Sequence, residues 1–166
     1  MSFETIFAIA WAVGLGLGGG LLTKIGQWYF DLRKPAWQPP NWLFGPAWTV
    51  ILGLAGWAFV LAWRGSDDQS DHALLIGLYA VNGVFHFLWS PLFFKWKRPD
   101  WALTENVFLW LSVVGLLVVL PRLAGDSFAG WLNVPYFIWV TFAFALNAKI
   151  VQLNRPFGRF ELGGSL

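Results

Sequence analysis

The chain contains no cysteine and only two histidines, and these shortages remove several classes of function. Without cysteine there can be no disulfide, thiolate nucleophile or cysteine-ligated metal. No hydrolytic triad is readable, and His72, beside a polar turn, is expected to be solvated. The glycines at 14–20 lie inside an apolar run, whereas a nucleotide-binding loop follows a strand. We therefore expect neither a metal site nor a required cofactor.

Charge is also scarce, at 12% of the residues against roughly 25% in soluble proteins. The net charge is +2 and no basic tract suits nucleic acid, so we expect no nucleic-acid partner. No carboxylate pair falls at membrane depth, which argues against a proton-driven pump. Hydrophobic residues reach 57% and the mean hydropathy is +0.57. Because lipid solvates apolar surface that a soluble domain would have to bury, the composition indicates an integral membrane protein.

Five apolar runs divide the chain, each close to the ~20 residues that cross a bilayer. They cover residues 3–23, 43–63, 73–94, 101–121 and 128–152. The first run has no basic region before it and no small-residue cleavage site, so we expect a retained span and not a signal peptide. The prediction is an all-α, multi-pass fold in which one domain, residues 1–166, forms a bundle of five transmembrane helices.

Segment 28–48 is the only long stretch that is neither continuously apolar nor a short turn. It holds four of the 13 tryptophans and four of the nine prolines, namely Pro35, Pro39, Pro40 and Pro46. Because proline fixes φ and donates no N–H, one continuous helix is excluded and a stiff connection is predicted. Lying between the first two spans, this first loop can act as a lid over whatever the spans enclose.

Basic residues are divided unevenly between the two sides of the predicted bundle. With five spans, the 24–34 connection, the 95–100 turn and the C-terminal segment share one side. That side carries nine of the 11 basic residues, namely Lys24, Arg33, Lys34, Lys95, Lys97, Arg98, Lys149, Arg155 and Arg159. Only Arg64 and Arg122 lie on the other side. This bias predicts that the C-terminus and the first loop are cytoplasmic.

Few polar residues fall within the runs. Asn82, His86 and Ser90 are spaced four apart, so they share one face of the third span. Polar residues in spans usually face the bundle interior. Glu105 lies near the start of the fourth span, where the helix dipole favours an acid; the alternative is an ion pair with the basic residues at 97–98.

The first span contains two GxxxG pairs, Gly14 with Gly18 and Gly16 with Gly20. Small residues let helices approach closely in lipid. Two interpretations remain open, a homodimer seam and tight packing within one subunit.

The tryptophans also allow two interpretations. Anchoring at the membrane interface explains Trp63, Trp96 and Trp101. It explains Trp48 and Trp139 poorly, because both lie inside apolar runs. Aromatic walls with a few polar groups are typical of a small-molecule site, which is the second interpretation.

Several motifs follow one another, in order, along nearly the whole chain. They are Trp28-Tyr29, Lys34-Pro35-Ala36-Trp37-Gln38-Pro39-Pro40, Gly45-Pro46-Ala47-Trp48, Leu88-Trp89-Ser90-Pro91-Leu92-Phe93-Phe94, Trp101-Ala102-Leu103, and Pro135-Tyr136-Phe137-Ile138-Trp139 through Leu146-Asn147. In these motifs the sequence resembles the TspO/MBR family of translocator proteins and tryptophan-rich sensory proteins. The first two motifs together are highly specific.

The resemblance implies a five-helix bundle, usually a homodimer, with a ligand pocket beneath the first loop. Family ligands are porphyrins, haem, synthetic drugs and, in animals, sterols. The implied function is membrane-embedded binding of tetrapyrroles such as protoporphyrin IX or haem, as a sensor or transporter. Carried over by position, with His86 added from the face of Ser90, the ligand-binding residues are Tyr29, Trp37, Trp48, His86, Ser90, Trp139, Ala143 and Leu146.

Two other functions stay open at this point. Trp48 and Trp139 match the tryptophans that the family links to porphyrin photochemistry, so they would be catalytic in a light-dependent degradation of porphyrin. A structural membrane module that binds only lipid is the other alternative.

Two positions depart from the family pattern. The family usually has asparagine where this chain has His86. That histidine could ligate haem iron, donate a hydrogen bond to a ligand carbonyl, or bridge to a neighbouring helix. Ala148 follows Leu146-Asn147 where the animal sterol motif needs tyrosine, so a sterol is not the expected native ligand.

Overall fold

The computed structural model describes residues 1–157, and this part of the chain is helical and contains no strand. Its helices are α1 (Phe3–Leu22), α2 (Gln27–Asp31), α3 (Phe44–Gly65), α4 (Gln69–Ser90), α5 (Pro99–Ala124), α6 (Phe128–Trp131) and α7 (Val134–Asn154). Five segments are long and apolar enough to cross a membrane, which confirms the predicted all-α bundle. The fifth run is divided between α6 and α7, and Arg159 lies outside the described residues.

Local chemistry sets the helix ends. Pro46 stands in the first turn of α3, where an N–H would have no intrahelical partner to lose. The Asp68 carboxylate caps α4 by accepting a 2.8 Å hydrogen bond from the Ser70 backbone N–H, and this bond holds the pKa of Asp68 below its usual value. Gly125 ends α5 at a φ of 65°, which glycine adopts without strain.

Helix α5 is central and packs against α3, α4 and α7, while α1 lies against α3 and α4. The backbones approach closely at Gly56, where an added Cβ would stand 3.3 Å from the carbonyl oxygen of Ala8. The indole of Trp11 donates to the Tyr79 carbonyl at 2.9 Å, and the Tyr79 hydroxyl donates to the Ala55 carbonyl at 2.6 Å. Because lipid provides little driving force between apolar helices, such close packing and hydrogen bonding hold the bundle together.

The two ends of the first GxxxG pair have different surroundings. A Cβ at Gly18 would stand 2.7 Å from the ring of Phe87 in α4. Nothing lies within 4 Å of a Cβ at Gly14, and that position is exposed. Gly18 therefore serves packing within the subunit, whereas Gly14 is open on the surface. The homodimer stays a prediction.

His72 is half-buried, so the expectation that it is solvated is only partly met. Its ring stacks on Trp63 with the centroids 3.8 Å apart. Its Nε2 lies 3.0 Å from the Trp63 carbonyl oxygen and 2.8 Å from that of Ser66. His72 therefore connects the first turn of α4 to the end of α3.

The ion pair considered as the alternative for Glu105 is not formed. The side chain is buried, and neither carboxylate oxygen has a hydrogen-bond partner within residues 1–157. Arg98 pairs with Asp100 instead. Glu105 also lies beyond the first turn of α5, which begins at Pro99, and the helix dipole acts within that turn, so the structure does not support the dipole interpretation of Glu105 either.

Candidate ligand-binding site

Two adjoining cavities lie between the first loop and the centre of the bundle. The one nearer the loop, the loop cavity, measures about 120 Å³. The one farther inside, the deep cavity, measures about 50 Å³. Phe44, Trp89 and Ala143 border both, so the two cavities adjoin and together form the candidate site.

Most of the sequence-predicted site residues border these cavities. The deep cavity is bordered by Trp48, His86, Ser90, Trp139 and Ala143, and the loop cavity by Tyr29, Ala143 and Leu146. Trp37 stands apart from both linings. It is 49% exposed, and its ring meets Phe142 at a centroid distance of 5.6 Å.

Several residues that line the cavities were not predicted from the sequence. They include Thr23, Gln38, Asn41, Phe44, Trp89 and Asn106. Gln38 and Trp89 fall inside the quoted motifs, so the resemblance could have indicated them. Asn106 is a polar residue in an apolar run, which is the signal that singled out Asn82.

Tyr29 is the centre of a hydrogen-bond network that closes the loop cavity. Its hydroxyl donates to Asn41 Oδ1 at 2.9 Å and accepts from Gln38 Nε2 at 3.0 Å. Burial raises the pKa of Tyr29, so the phenol keeps the proton that it donates. The Lys34 ammonium lies 4.4 Å from the ring centroid, and burial lowers the pKa of Lys34. The network joins the start of the first loop, at Tyr29, to its central part, at Gln38 and Asn41.

Asn154, at the end of α7, attaches the first part of the first loop to the bundle through Arg33. Its Oδ1 accepts from the Arg33 backbone N–H at 2.8 Å, and its Nδ2 donates to the Arg33 carbonyl at 2.8 Å. The paired bonds fix the loop backbone against α7.

A buried polar relay crosses the bundle beside the deep cavity. His86 Nδ1 lies 3.1 Å from the Tyr136 hydroxyl. That hydroxyl donates to Asn82 Oδ1 at 3.0 Å, and Asn82 Nδ2 donates to Ser112 Oγ at 2.8 Å. Asn82, His86 and Ser90 are all buried, as their shared face predicts. The relay links α4, α5 and α7.

Aromatic rings form the wall of the deep cavity. The indole of Trp48 meets His86 edge-on at a centroid distance of 4.5 Å and Trp139 at 6.2 Å. Several polar atoms in the linings are completely buried and have no partner in residues 1–157, namely Gln38 Oε1, Trp89 Nε1, Trp139 Nε1 and both amide atoms of Asn106. Buried polar groups are normally hydrogen-bonded, so the lining holds unused capacity for a ligand or water.

Residues 7–153 match the sequence profile of the TspO/MBR family. The chain belongs to this family. It is 38% identical to the tryptophan-rich sensory protein of Cereibacter sphaeroides, over 89% of this chain and 91% of that protein. It is 34% identical to the tryptophan-rich protein TspO of Chlorobaculum tepidum, over 91% and 98%. Its identity to the human translocator protein is 29%, over 89% and 88%. TspO/MBR membership and five spanning helices make it an integral, multi-pass membrane protein.

Proposed function

We propose that this chain binds tetrapyrroles such as protoporphyrin IX or haem within the membrane, as a sensor or transporter. The observation that supports this proposal is the pair of adjoining aromatic cavities beneath the first loop. Sites of this composition suit flat apolar molecules that carry a few polar groups. The relatives named sensory protein and translocator protein agree with either use.

Ligand entry requires the first loop to move. Cavities of about 120 Å³ and 50 Å³ are smaller than the roughly 300–1,000 Å³ of sites for drug-sized ligands. A tetrapyrrole therefore enters only after the Tyr29 network opens and the two compartments merge. Closure over the bound ring would exclude water and allow the tryptophan walls to contact it.

A titration with protoporphyrin IX in the dark tests the proposal. We expect saturable, stoichiometric quenching of tryptophan fluorescence, with weaker affinity in Trp48→Phe and Trp139→Phe. Trp57→Phe is the matched control, because Trp57 lies on the outer surface of α3 and is 51% exposed. If quenching does not saturate, the remaining alternative is a structural membrane module that binds only lipid.

A second candidate function is light-dependent degradation of bound porphyrin. The edge-on contact between Trp48 and Trp139, 6.2 Å between centroids beside the deep cavity, favours it. Illumination of the complex should then give a new absorption band in proportion to protein, and Trp48→Phe should abolish that band. Bleaching at the rate of free porphyrin would instead limit the function to binding.

A further inference from the structure

The relay beside the deep cavity allows only one arrangement of its hydrogens. Beyond Ser112, the relay ends at the backbone carbonyl oxygen of Leu109, which can only accept a hydrogen bond. Ser112 Oγ lies 2.6 Å from that oxygen and donates its single hydrogen there. Ser112 must therefore accept from Asn82, so the amide nitrogen of Asn82 faces Ser112 and its oxygen faces Tyr136.

The arrangement continues from Tyr136 to His86. The Tyr136 hydroxyl has one hydrogen, and Asn82 Oδ1 accepts it at 3.0 Å. Its oxygen can only accept from His86 Nδ1, which lies 3.1 Å away. His86 is buried and forms no ion pair with any residue in 1–157, and an unpaired buried charge is costly. The ring is therefore neutral, protonated on Nδ1, and its lone pair is on Nε2.

We infer that His86 presents Nε2 as a fixed electron-pair donor to the deep cavity, where it binds the metal ion of a metalloporphyrin in preference to a metal-free ring. The inference rests on the tetrapyrrole binding proposed above. His86 borders the deep cavity. Within residues 1–157 its side chain forms one hydrogen bond, through Nδ1, which leaves Nε2 without a partner. Metal-bound histidines usually carry this arrangement, with the other nitrogen donating to an acceptor that orients the ring. Tyr136 is that positioning residue here.

His72 provides an internal contrast. Its Nε2 lies between the carbonyl oxygens of Trp63 and Ser66. Both are acceptors, so Nε2 of His72 carries the hydrogen. The two histidines of the chain are therefore expected to be opposite tautomers.

Nitrogen NMR of the full chain with labelled histidine tests the tautomers without any ligand. We expect one Nδ1–H and one Nε2–H imidazole. The Nε2–H signals should disappear in His72→Gln, which assigns them to His72 and the Nδ1–H signals to His86. Tyr136→Phe removes the acceptor and should mix the tautomers of His86 alone. An Nε2–H tautomer at His86 in the unaltered chain would overturn the inference.

Titration with haem and with protoporphyrin IX, in the dark, tests the ligand. We expect the haem complex to show the absorption and electron-resonance spectra of a nitrogen axial ligand. His86→Asn and His86→Gln should lose these spectra and weaken haem more than metal-free porphyrin, so that the preference for haem is lost. Tyr136→Phe should weaken haem by about tenfold, as loss of an orienting partner does, and His72→Gln should change nothing. Melting temperatures of all variants report folding.

The outcomes separate the two proposals. Equal loss of both ligands in His86→Asn, or a wild-type haem spectrum without a nitrogen ligand, contradicts the role of His86 and leaves tetrapyrrole binding in place. If the wild type binds neither ligand, tetrapyrrole binding fails and metal ligation fails with it, while the NMR result still decides the tautomer.

Discussion

At the residue scale, several polar groups that border the deep cavity have no hydrogen-bond partner within residues 1–157. The indoles of Trp89 and Trp139 and the amide of Asn106 have no partner in the described part of the chain. Each such group costs roughly 1–3 kcal/mol when buried. When the site opens, these groups can bond to water or to a ligand. The free-energy cost of burying them therefore favours the open site and opposes the packing that closes it.

Glu105 is predicted to destabilise the closed bundle, because its buried carboxyl group has no partner in residues 1–157. Glu105→Met has a similar volume without the polar atoms, and we expect it to raise the free energy of unfolding by about 1–3 kcal/mol. Glu105→Gln is the control, since it keeps two polar atoms in the same place and should give little gain. Reversible unfolding in mixed detergent measures both. A less stable Glu105→Met would show that the carboxyl group has a stabilising role.

Local sequence pattern reveals which residues face the interior but not which atoms meet there. Spacing by four was enough to place His86 and Ser90 on the buried face, and position inside runs was enough to separate Trp48 and Trp139 from interface anchors. The bond from His86 to Tyr136 joins residues 50 positions apart, and no period within one helix encodes it. Trp37 was placed by motif alone, and a motif does not show that this ring lies outside both cavities.

At the element scale, the first loop should open more readily when its attachment to α7 is removed. Asn154→Ala deletes the two bonds to Arg33. A single hydrogen bond contributes about 1 kcal/mol, so we expect the association rate of protoporphyrin IX to rise about fivefold or more. Stopped-flow tryptophan quenching measures the rate.

Gln152→Ala is the matched control for this change. Gln152 is exposed on the same helix, and within residues 1–157 its side chain bonds only to Lys149. Protoporphyrin IX should associate with Gln152→Ala at the same rate as with the unaltered chain. If Asn154→Ala also shows the unaltered rate, another part of the site limits entry.

Hydropathy predicted the long helices because about 20 apolar residues must satisfy every backbone group internally when surrounded by lipid. It could not predict the short elements. Helix α2 (Gln27–Asp31) lies in the connection between the first two runs, and the π-helical turn Pro91–Lys95 lies at the end of the third run. In both places water or neighbouring helices can also satisfy the backbone. Their conformation depends on tertiary contacts, such as those of Tyr29 and Phe93 in one buried cluster.

At the scale of the whole molecule, the nine-to-two division of basic residues predicts that the first loop faces the cytoplasm. The chain has no cysteine, so a single introduced cysteine reports its own location. Ala36 is exposed in the first loop and Asp67 is exposed in the turn on the opposite side. In intact cells, an impermeant thiol reagent should label Asp67→Cys and spare Ala36→Cys until the membrane is opened. The reverse pattern would invert the orientation.

The homodimer is predicted to use the open glycine surface of α1. A Cβ added at Gly14 meets nothing within 4 Å in its own subunit, so we expect Gly14→Leu to disturb a neighbouring molecule more than its own bundle. We expect a lower dimer fraction in detergent and an unchanged melting temperature, because a leucine would keep two backbones from close approach. Gly53→Leu, equally open on α3, should change neither. Gly18→Leu should lower the melting temperature by clashing with Phe87. If Gly14→Leu dimerises as before, the seam lies on another helix.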